Sequence, residues 1–322
     1  MMSVGLPKNT NAIGILSAVG AAVSFSIVDA TIKFLSGEYA LHEVVLIRSL
    51  IGLALLLVFI IPMQGGLAIL RTNRIGAHVF RGACVVFANM AFFLGLAAMP
   101  LSDTVAIFFV SPLIITTFSV IFLKESVGPH RWAAVAVGLV GVLIVMRPGT
   151  SAFQMASLFP LAAAVGYAAL HTVTRVIGNT ENPGNMTFYT MIVFVFASAV
   201  IGLCIGDGRF AGSSDPSLEF LVRGWTVPES ADYGFLFLLG LSSTAGGYLI
   251  SQAYRLCESG LAAPFEYVAM PLSIILGIVV FGEWPDAMAW IGTILILLGG
   301  VYMFVREARS PPARPAGEPV KI

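Results

Sequence analysis

Charge is what this chain has least of. Only 11% of its 322 residues are Asp, Glu, Lys or Arg, against about 25% in an ordinary soluble domain. The 17 basic and 17 acidic side chains cancel, so no basic surface points to a nucleic-acid partner. Cysteine is scarcer still. Cys84, Cys204 and Cys257 all fall in apolar segments without Cys-x-x-Cys spacing, which excludes a disulfide framework and reads as small packing residues. The four histidines, His42, His78, His130 and His171, stand far apart and no His-Glu-x-x-His spacing occurs. No nucleophile is paired with a base, so no catalytic residue, metal ligand or cofactor is expected. A cleavable leader is not expected either: the first apolar run is too long for one and lacks a small-residue cleavage site.

What the chain has instead is apolar length. Hydrophobic residues make up 58% of it and the mean hydropathy is +0.93, the composition of an all-α protein that crosses a lipid bilayer many times. Ten apolar segments can be read, at about 12–35, 43–62, 76–98, 102–123, 131–147, 154–177, 185–206, 233–256, 260–281 and 287–305; about 20 apolar residues suffice for a transmembrane helix. Most connections are short and polar, as antiparallel neighbours require. The exception, 207–232, carries six charged side chains outside its final Asp232, too polar to span and long enough to form a small cap. The proline-bearing tail, 306–322, reads as disordered and cytoplasmic.

Ten spans put both termini on one side. With that side cytoplasmic, the inner ends hold Lys8, Arg71, Arg74, Arg81, Lys124, Arg131, Arg175, Arg255, Arg306, Arg309, Arg314 and Lys321. The outer ends hold only Lys33, Arg48, Arg147, Arg209 and Arg223. The excess of positive charge inside makes both termini cytoplasmic.

The first run contains FSIVDATIK at 25–33, with Asp29 and Lys33 one helical turn apart on one face. Charge in hydrocarbon is costly unless it is paired, neutralised or turned toward a water-filled cavity. The second half offers YAALHTVTR at 167–175, so that Phe25, Asp29 and Lys33 match Tyr167, His171 and Arg175 at a constant offset. A second match closes each half. Segment four ends at Glu125 and segment nine at Glu283; Pro112 aligns with Pro271, and Trp132 and Trp290 follow the two glutamates by seven residues. Five spans per copy is an odd number, so the copies must lie upside down relative to each other, as in alternating-access carriers. The two units are 12–149 and 154–305.

The candidate site follows from burial cost. Asp29, His171 and Glu266 are ionisable groups at depth and suit a proton relay or a polar substrate anchor. The structural alternatives are that Asp29 neutralises Lys33 or Arg48, that His171 donates to a carbonyl, and that Glu266 bonds Tyr248 or Gln252. Pro264, just before Glu266, frees backbone carbonyls for a cavity. Lys33, Arg48 and Arg175 are candidates for charge pairing or coupling, with snorkelling to the interface as the alternative for Lys33 and Arg175. Asn89, Ser111, Tyr248, Gln252 and Tyr254 are polar groups on lining segments, though such residues also serve interhelical hydrogen bonds. Phe25, Phe108, Phe109, Tyr167, Phe265 and Tyr267 would make aromatic walls, unless they only pack. Glu125 and Glu283 read as architectural, bonding loop amides or the next helix. Gly202 and Gly206 form a Gly-x-x-x-Gly pair that permits close packing.

The stretches FSIVDATIK, LAAMPLSDTVAIFFVSPLIITTFSVIFLKE and LAAPFEYVAMPLSIILGIVVFGEWPD, with Arg48 on segment two, resemble the EamA branch of the drug/metabolite transporter superfamily. The resemblance covers about 12–305 as two EamA-like units. It implies ten helices, with one to four and six to nine lining a central cavity and five and ten at the periphery. It also implies an inner-membrane carrier of small organic solutes driven by a gradient. Many relatives have tryptophan where this chain has Phe25. Resemblance to EamA-type carriers of riboflavin or S-adenosylmethionine points to a polar aromatic vitamin or cofactor, moved by alternating access and coupled to protons. Amino-acid or drug export is the alternative. A purely structural or receptor protein would not need inverted repeats with ionisable groups at matched depths, and an intramembrane enzyme is disfavoured by the scattered histidines and the lack of a nucleophile–base pair. The expected partners are the substrate and the lipid bilayer, with the protein a monomer or homodimer.

Overall fold

The computed structural model of the chain describes residues 10–123, 128–177, 181, 183–256 and 265–308. Among these, every regular element is a helix: α1 Thr10–Leu35, α2 Leu41–Leu55, α3 Ile75–Ala98, α4 Leu101–Phe108, α5 Ser111–Leu123, α6 Pro129–Met146, α7 Leu158–Ile177, α8 Pro183–Ile205, α9 Pro216–Val222, α10 Tyr233–Leu256, α11 Ala269–Phe281 and α12 Ala287–Ala308. Seven stretches are helical, long and apolar enough to cross a membrane, and three shorter apolar helices lie at 136–146, 269–281 and 287–302. Side chains such as Leu16, Phe122, Phe196, Leu203 and Val279 are exposed, as suits a lipid-facing surface and would not suit water. The protein is a multi-pass membrane protein.

Its helices carry many hydroxyls, and the fold satisfies them locally. Ser17, Ser24, Ser26 and Thr31 of α1 each donate to the carbonyl four residues back, at 2.7–2.9 Å. A hydroxyl so bonded can face lipid or a packed neighbour without an unmet donor. Interhelical packing is intimate where small residues meet. A Cβ on Gly141 of α6 would stand 2.8 Å from the Gly292 carbonyl oxygen of α12, so these two helices touch backbone to backbone.

Helices distant in sequence pack together to build the bundle. α1 packs mainly along α10, α3 along α7, α2 along α8, and α6 along α12. α5 also packs on α7, and α11 on both α1 and α4. Segment four, read as one span, is interrupted: α4 ends at Phe108, and α5 starts at Ser111 after a turn at Phe109 and Val110. Pro112 explains the break. It lacks the N–H that would bond Phe108, and the turn closes instead through Val110 N to Ile107 O at 3.1 Å and Leu113 N to Val110 O at 3.0 Å. In segment nine a turn at Tyr267 and Val268 precedes α11, three to four residues before a proline, Pro271, against two to three residues in segment four. α2 also departs from a plain helix, running into a π-helical stretch at Leu56–Ile60.

The polar connection 207–232 is a built cap. Asp215 accepts from Leu218 N at 2.9 Å to start α9. Tyr39 donates to Asp232 at 2.6 Å, and Arg223 donates to the Ser36 and Tyr39 carbonyls at 2.9 and 3.3 Å. Trp225 stacks on His42 with ring centroids 5.9 Å apart. It also fills the groove above Gly202 and Gly206, where a Cβ on Gly206 would stand 2.9 Å from the indole. The glycine pair therefore receives a loop tryptophan rather than a neighbouring helix. Glu125, Cys257, Pro264, the side chains of Arg175 and Tyr254, and the tail from 309 lie outside the described residues.

Candidate functional site

Two clusters of polar groups lie between the helices. The first centres on Arg48, the eighth residue of α2 and only 4% exposed. Its Nη2 donates to Asn89 of α3 at 3.1 Å and its Nη1 approaches Ser243 of α10 at 3.4 Å. Its guanidinium lies over Phe93 at 5.2 Å and Phe194 at 4.9 Å, both good cation–π distances. Asp29 of α1 is within electrostatic reach of it. Four helices thus hold one cation, with an acid beside it.

The second cluster centres on Tyr167 of α7. Tyr167 donates to Glu266 at 3.2 Å, and its ring meets His171 at 4.4 Å and Phe108 of α4 at 5.2 Å, both edge-on. Phe108 continues the aromatic contact to Phe92 at 5.1 Å and Phe109 at 6.2 Å, and Phe109 meets Tyr267 at 5.0 Å. Beside Tyr167 and His171, close enough to act on both electrostatically, is Arg81 of α3.

The structure places the other candidates as follows. Lys33 turns away from Asp29: its Nζ pairs with Glu283 at 2.9 Å and bonds the Met99 and Leu96 carbonyls at 2.5 and 3.4 Å. Glu283 also accepts from Leu101 N at 2.9 Å, so the two residues tie α1, the start of α4 and the end of α11 together. Tyr248 accepts from Gln64 at 3.0 Å, and Glu266 turns to Tyr167 on another helix. Gln252 is half-buried and its Oε1 lacks a hydrogen bond. Phe25 is half-buried against α10, where a Cβ on Gly246 would stand 2.8 Å from its ring. Ser111 and Tyr267 are buried; Tyr267 closes on Gly300 of α12. Two surface hollows, about 520 Å³ beside Leu70 and Tyr189 and about 310 Å³ beside Met155 and Leu218, lie away from both clusters.

Sequence reasoning missed Arg81 as a site residue, counting it only among the inner charges. The signal was present: Arg81 lies six residues into its helix, as Arg48 lies seven into its own, about 10 Å from either helix start. Beyond the membrane-crossing helices, Arg147 holds Asp286 through an Nη2 2.5 Å from both carboxylate oxygens. That bond, with the Ala289 amide, keeps the Asp286 carboxyl below its ordinary range.

A bundle of apolar helices with ionisable side chains turned inward from several of them is the construction of a membrane carrier. Residues 12–147 and 154–305 each match the EamA-like transporter family, and the chain belongs to that family. A riboflavin transporter of Rhizobium johnstonii is 27% identical over 307 residues, 95% of this chain and 96% of that protein. An S-adenosylmethionine uptake transporter of Rickettsia prowazekii is 25% identical, covering 89% and 91%. One solved crystal structure, 17% identical, shares the fold with a TM-score of 0.66 over 93% of this chain and 99% of that one. Both relatives are named as transporters.

Proposed function

We propose that this protein is a secondary transporter of the bacterial inner membrane that moves a polar aromatic metabolite by alternating access. The observation that carries the reading is the Tyr167–Glu266 bond inside an aromatic surround, with a second polar cluster of Asp29 and Arg48 on α1 and α2. Tyr167, His171, Glu266 and Phe108 form one wall of the substrate site; Phe25, Asp29, Asn89, Tyr248 and Gln252 form the other. Ser111 and Tyr267 back the helix break, and Lys33, Arg48 and Arg175 serve charge pairing or coupling. Riboflavin and S-adenosylmethionine, the solutes named for the relatives, are the substrates to try.

The transport unit is two inverted five-helix repeats, 12–149 and 154–305, ten spans in all. Supporting this, the packing of α1 on α10 is repeated by α3 on α7 when the halves are exchanged, and the breaks before Pro112 and Pro271 fall within one residue of each other when the prolines are aligned. Both termini face the cytoplasm, as the Lys/Arg bias requires. In a chain lacking its native cysteines, an impermeant reagent on intact cells will label a cysteine at Ser213 and spare one at Ser310; the reverse pattern overturns the orientation. The active unit is a monomer or homodimer.

Uptake of either solute into proteoliposomes tests the function. Coupling is assigned to Asp29, His171 and Glu266. Asp29→Asn should abolish uptake driven by a pH gradient while sparing solute exchange. Full gradient-driven uptake in Asp29→Asn, His171→Gln and Glu266→Gln alike would end the coupling proposal.

A further inference from the structure

Arg81 is held in a way that leaves one side of its guanidinium unused. It is only 9% exposed. Its Nε donates to Thr174 Oγ1 at 2.9 Å, and its Nη1 donates to Thr190 Oγ1 at 2.7 Å and the Met186 carbonyl at 3.2 Å. Both threonine hydroxyls spend their protons on carbonyls of their own helices, at 2.8 and 2.9 Å. Their oxygens are therefore oriented to accept from Arg81. All three acceptors are neutral. Among the described residues, the ion pairs formed by arginines belong to Arg147, Arg209 and Arg223; Arg81 has no carboxylate at ion-pair distance. Its Nη2, with two N–H groups, makes no hydrogen bond among the described residues.

A buried cation satisfied only by neutral groups is expensive. Arg48, at the same depth in α2, has Asp29 nearby. The compensating charge for Arg81 has to come from elsewhere, and the surroundings say from where. Arg81 acts electrostatically on Tyr167 and His171, and Tyr167 forms an aromatic corner with Phe108. We propose that Arg81 is the anchor for a carboxylate or phosphate group carried by the transported solute, bound through Nη2 while the solute's flat part lies against Tyr167 and Phe108. Thr174 and Thr190 are its positioning residues. The planar guanidinium is the side chain best matched to such oxyanions. The inference rests on the carrier reading and narrows it. S-adenosylmethionine has an amino-acid carboxylate; riboflavin has no anionic group near neutral pH. The chemistry of Arg81 therefore favours the carboxylate-bearing class.

The test uses the full chain in detergent, with inorganic phosphate and acetate as probes against chloride at equal ionic strength. High millimolar phosphate or acetate should raise the wild-type Tm by about 2–4 °C, and the two salts separate a phosphate from a carboxylate preference. Arg81→Gln should abolish the rise. It should also melt at or above the wild-type temperature without anion, because it removes a charge that no carboxylate among the described residues balances. Arg81→Lys, which keeps the charge and loses the fork, should retain part of the rise and serves where Arg81→Gln does not fold. Equal Tm in all three salts for the wild type, or an anion effect that survives Arg81→Gln, overturns the anchor. So does a ligand-free Arg81→Gln that melts well below wild type while its anion effect persists. In proteoliposomes, Arg81→Gln should depress S-adenosylmethionine uptake more than riboflavin uptake. If the wild type moves neither solute while its anion effect still depends on Arg81, the anchor stands and the substrates named under the carrier reading fall.

Discussion

Arg48 and Arg81 are both buried guanidiniums, six to seven residues inside a helix, and the fold treats them in opposite ways. They sit toward opposite ends of the bundle, because α2 and its continuation run from one end to the other before α3 starts back. Arg48 is roofed by Phe93 and Phe194 and has Asp29 within reach. Arg81 is gripped by two threonines and a carbonyl, with no acid at ion-pair distance among the described residues. The first arrangement is complete in itself. The second is complete only when something else brings a negative charge. Burial alone therefore does not distinguish a structural charge from a receptive one; the chemistry of the partners does.

The largest effect should come from breaking the completed cluster. Arg48→Ala removes the cation, both aromatic contacts and the Asn89 bond, and should lower stability by about 3 kcal/mol, read as a fall in Tm. Adding Asp29→Asn should recover part of that loss, since the acid no longer lacks its cation. If the two losses simply add, Asp29 and Arg48 are not partners.

The next effect sharpens the comparison from the other side. Tyr167→Phe leaves Glu266 without its hydroxyl donor and removes one polar group from beside Arg81. Apparent substrate affinity in proteoliposomes should fall about tenfold, the expected size for a hydrogen bond to a charged group, with little change in Tm. A large loss of stability with unchanged affinity would make Tyr167 a packing residue.

Lys33 offers a third case, a basic side chain whose carboxylate partner is direct. Lys33→Met breaks the 2.9 Å pair with Glu283, but Glu283 keeps the Leu101 amide. With both groups partly solvated, a loss of about 1 kcal/mol is expected, again as a Tm shift. The more exposed pair is Arg147–Asp286, where the effect should be smallest and visible through pH. The Asp286 carboxyl is held below its ordinary range by Arg147. Its contribution is present above the ordinary carboxylate pKa of about 4. It is lost as the pH falls through the lower folded value. The Tm gap between wild type and Asp286→Asn should therefore be small at neutral pH and close in acid.

Much of this protein was legible before any coordinates. The scarcity of charge named a membrane protein, and the runs of apolar residues outlined its helices. The interruption of segment four was not read: Pro112 was seen as a repeat marker, whereas its missing N–H opens the helix at Phe109 and Val110. Asp29, His171 and Glu266 were singled out because acids and imidazoles in apolar runs are conspicuous. Arg81 was passed over because a basic residue near a helix end was counted as topology, although its position in α3 matches that of Arg48 in α2. Lys33 was placed on the face of Asp29 by helical spacing, yet its long side chain reaches the next layer and pairs with Glu283.

The sequence by itself determined that the chain crosses the bilayer many times as helices and that its few internal charges cannot face lipid. Both follow from transfer energetics, which depend on residue type and local spacing alone. Only the tertiary structure decided which groups meet: Arg48 with Asn89, Tyr167 with Glu266, Arg81 with Thr174 and Thr190, Lys33 with Glu283. Each pairing joins residues at least 41 positions apart. Hydropathy states that a polar group must find a partner, and packing such as that of α3 on α7 and α8 and of α1 on α11 settles which one it finds.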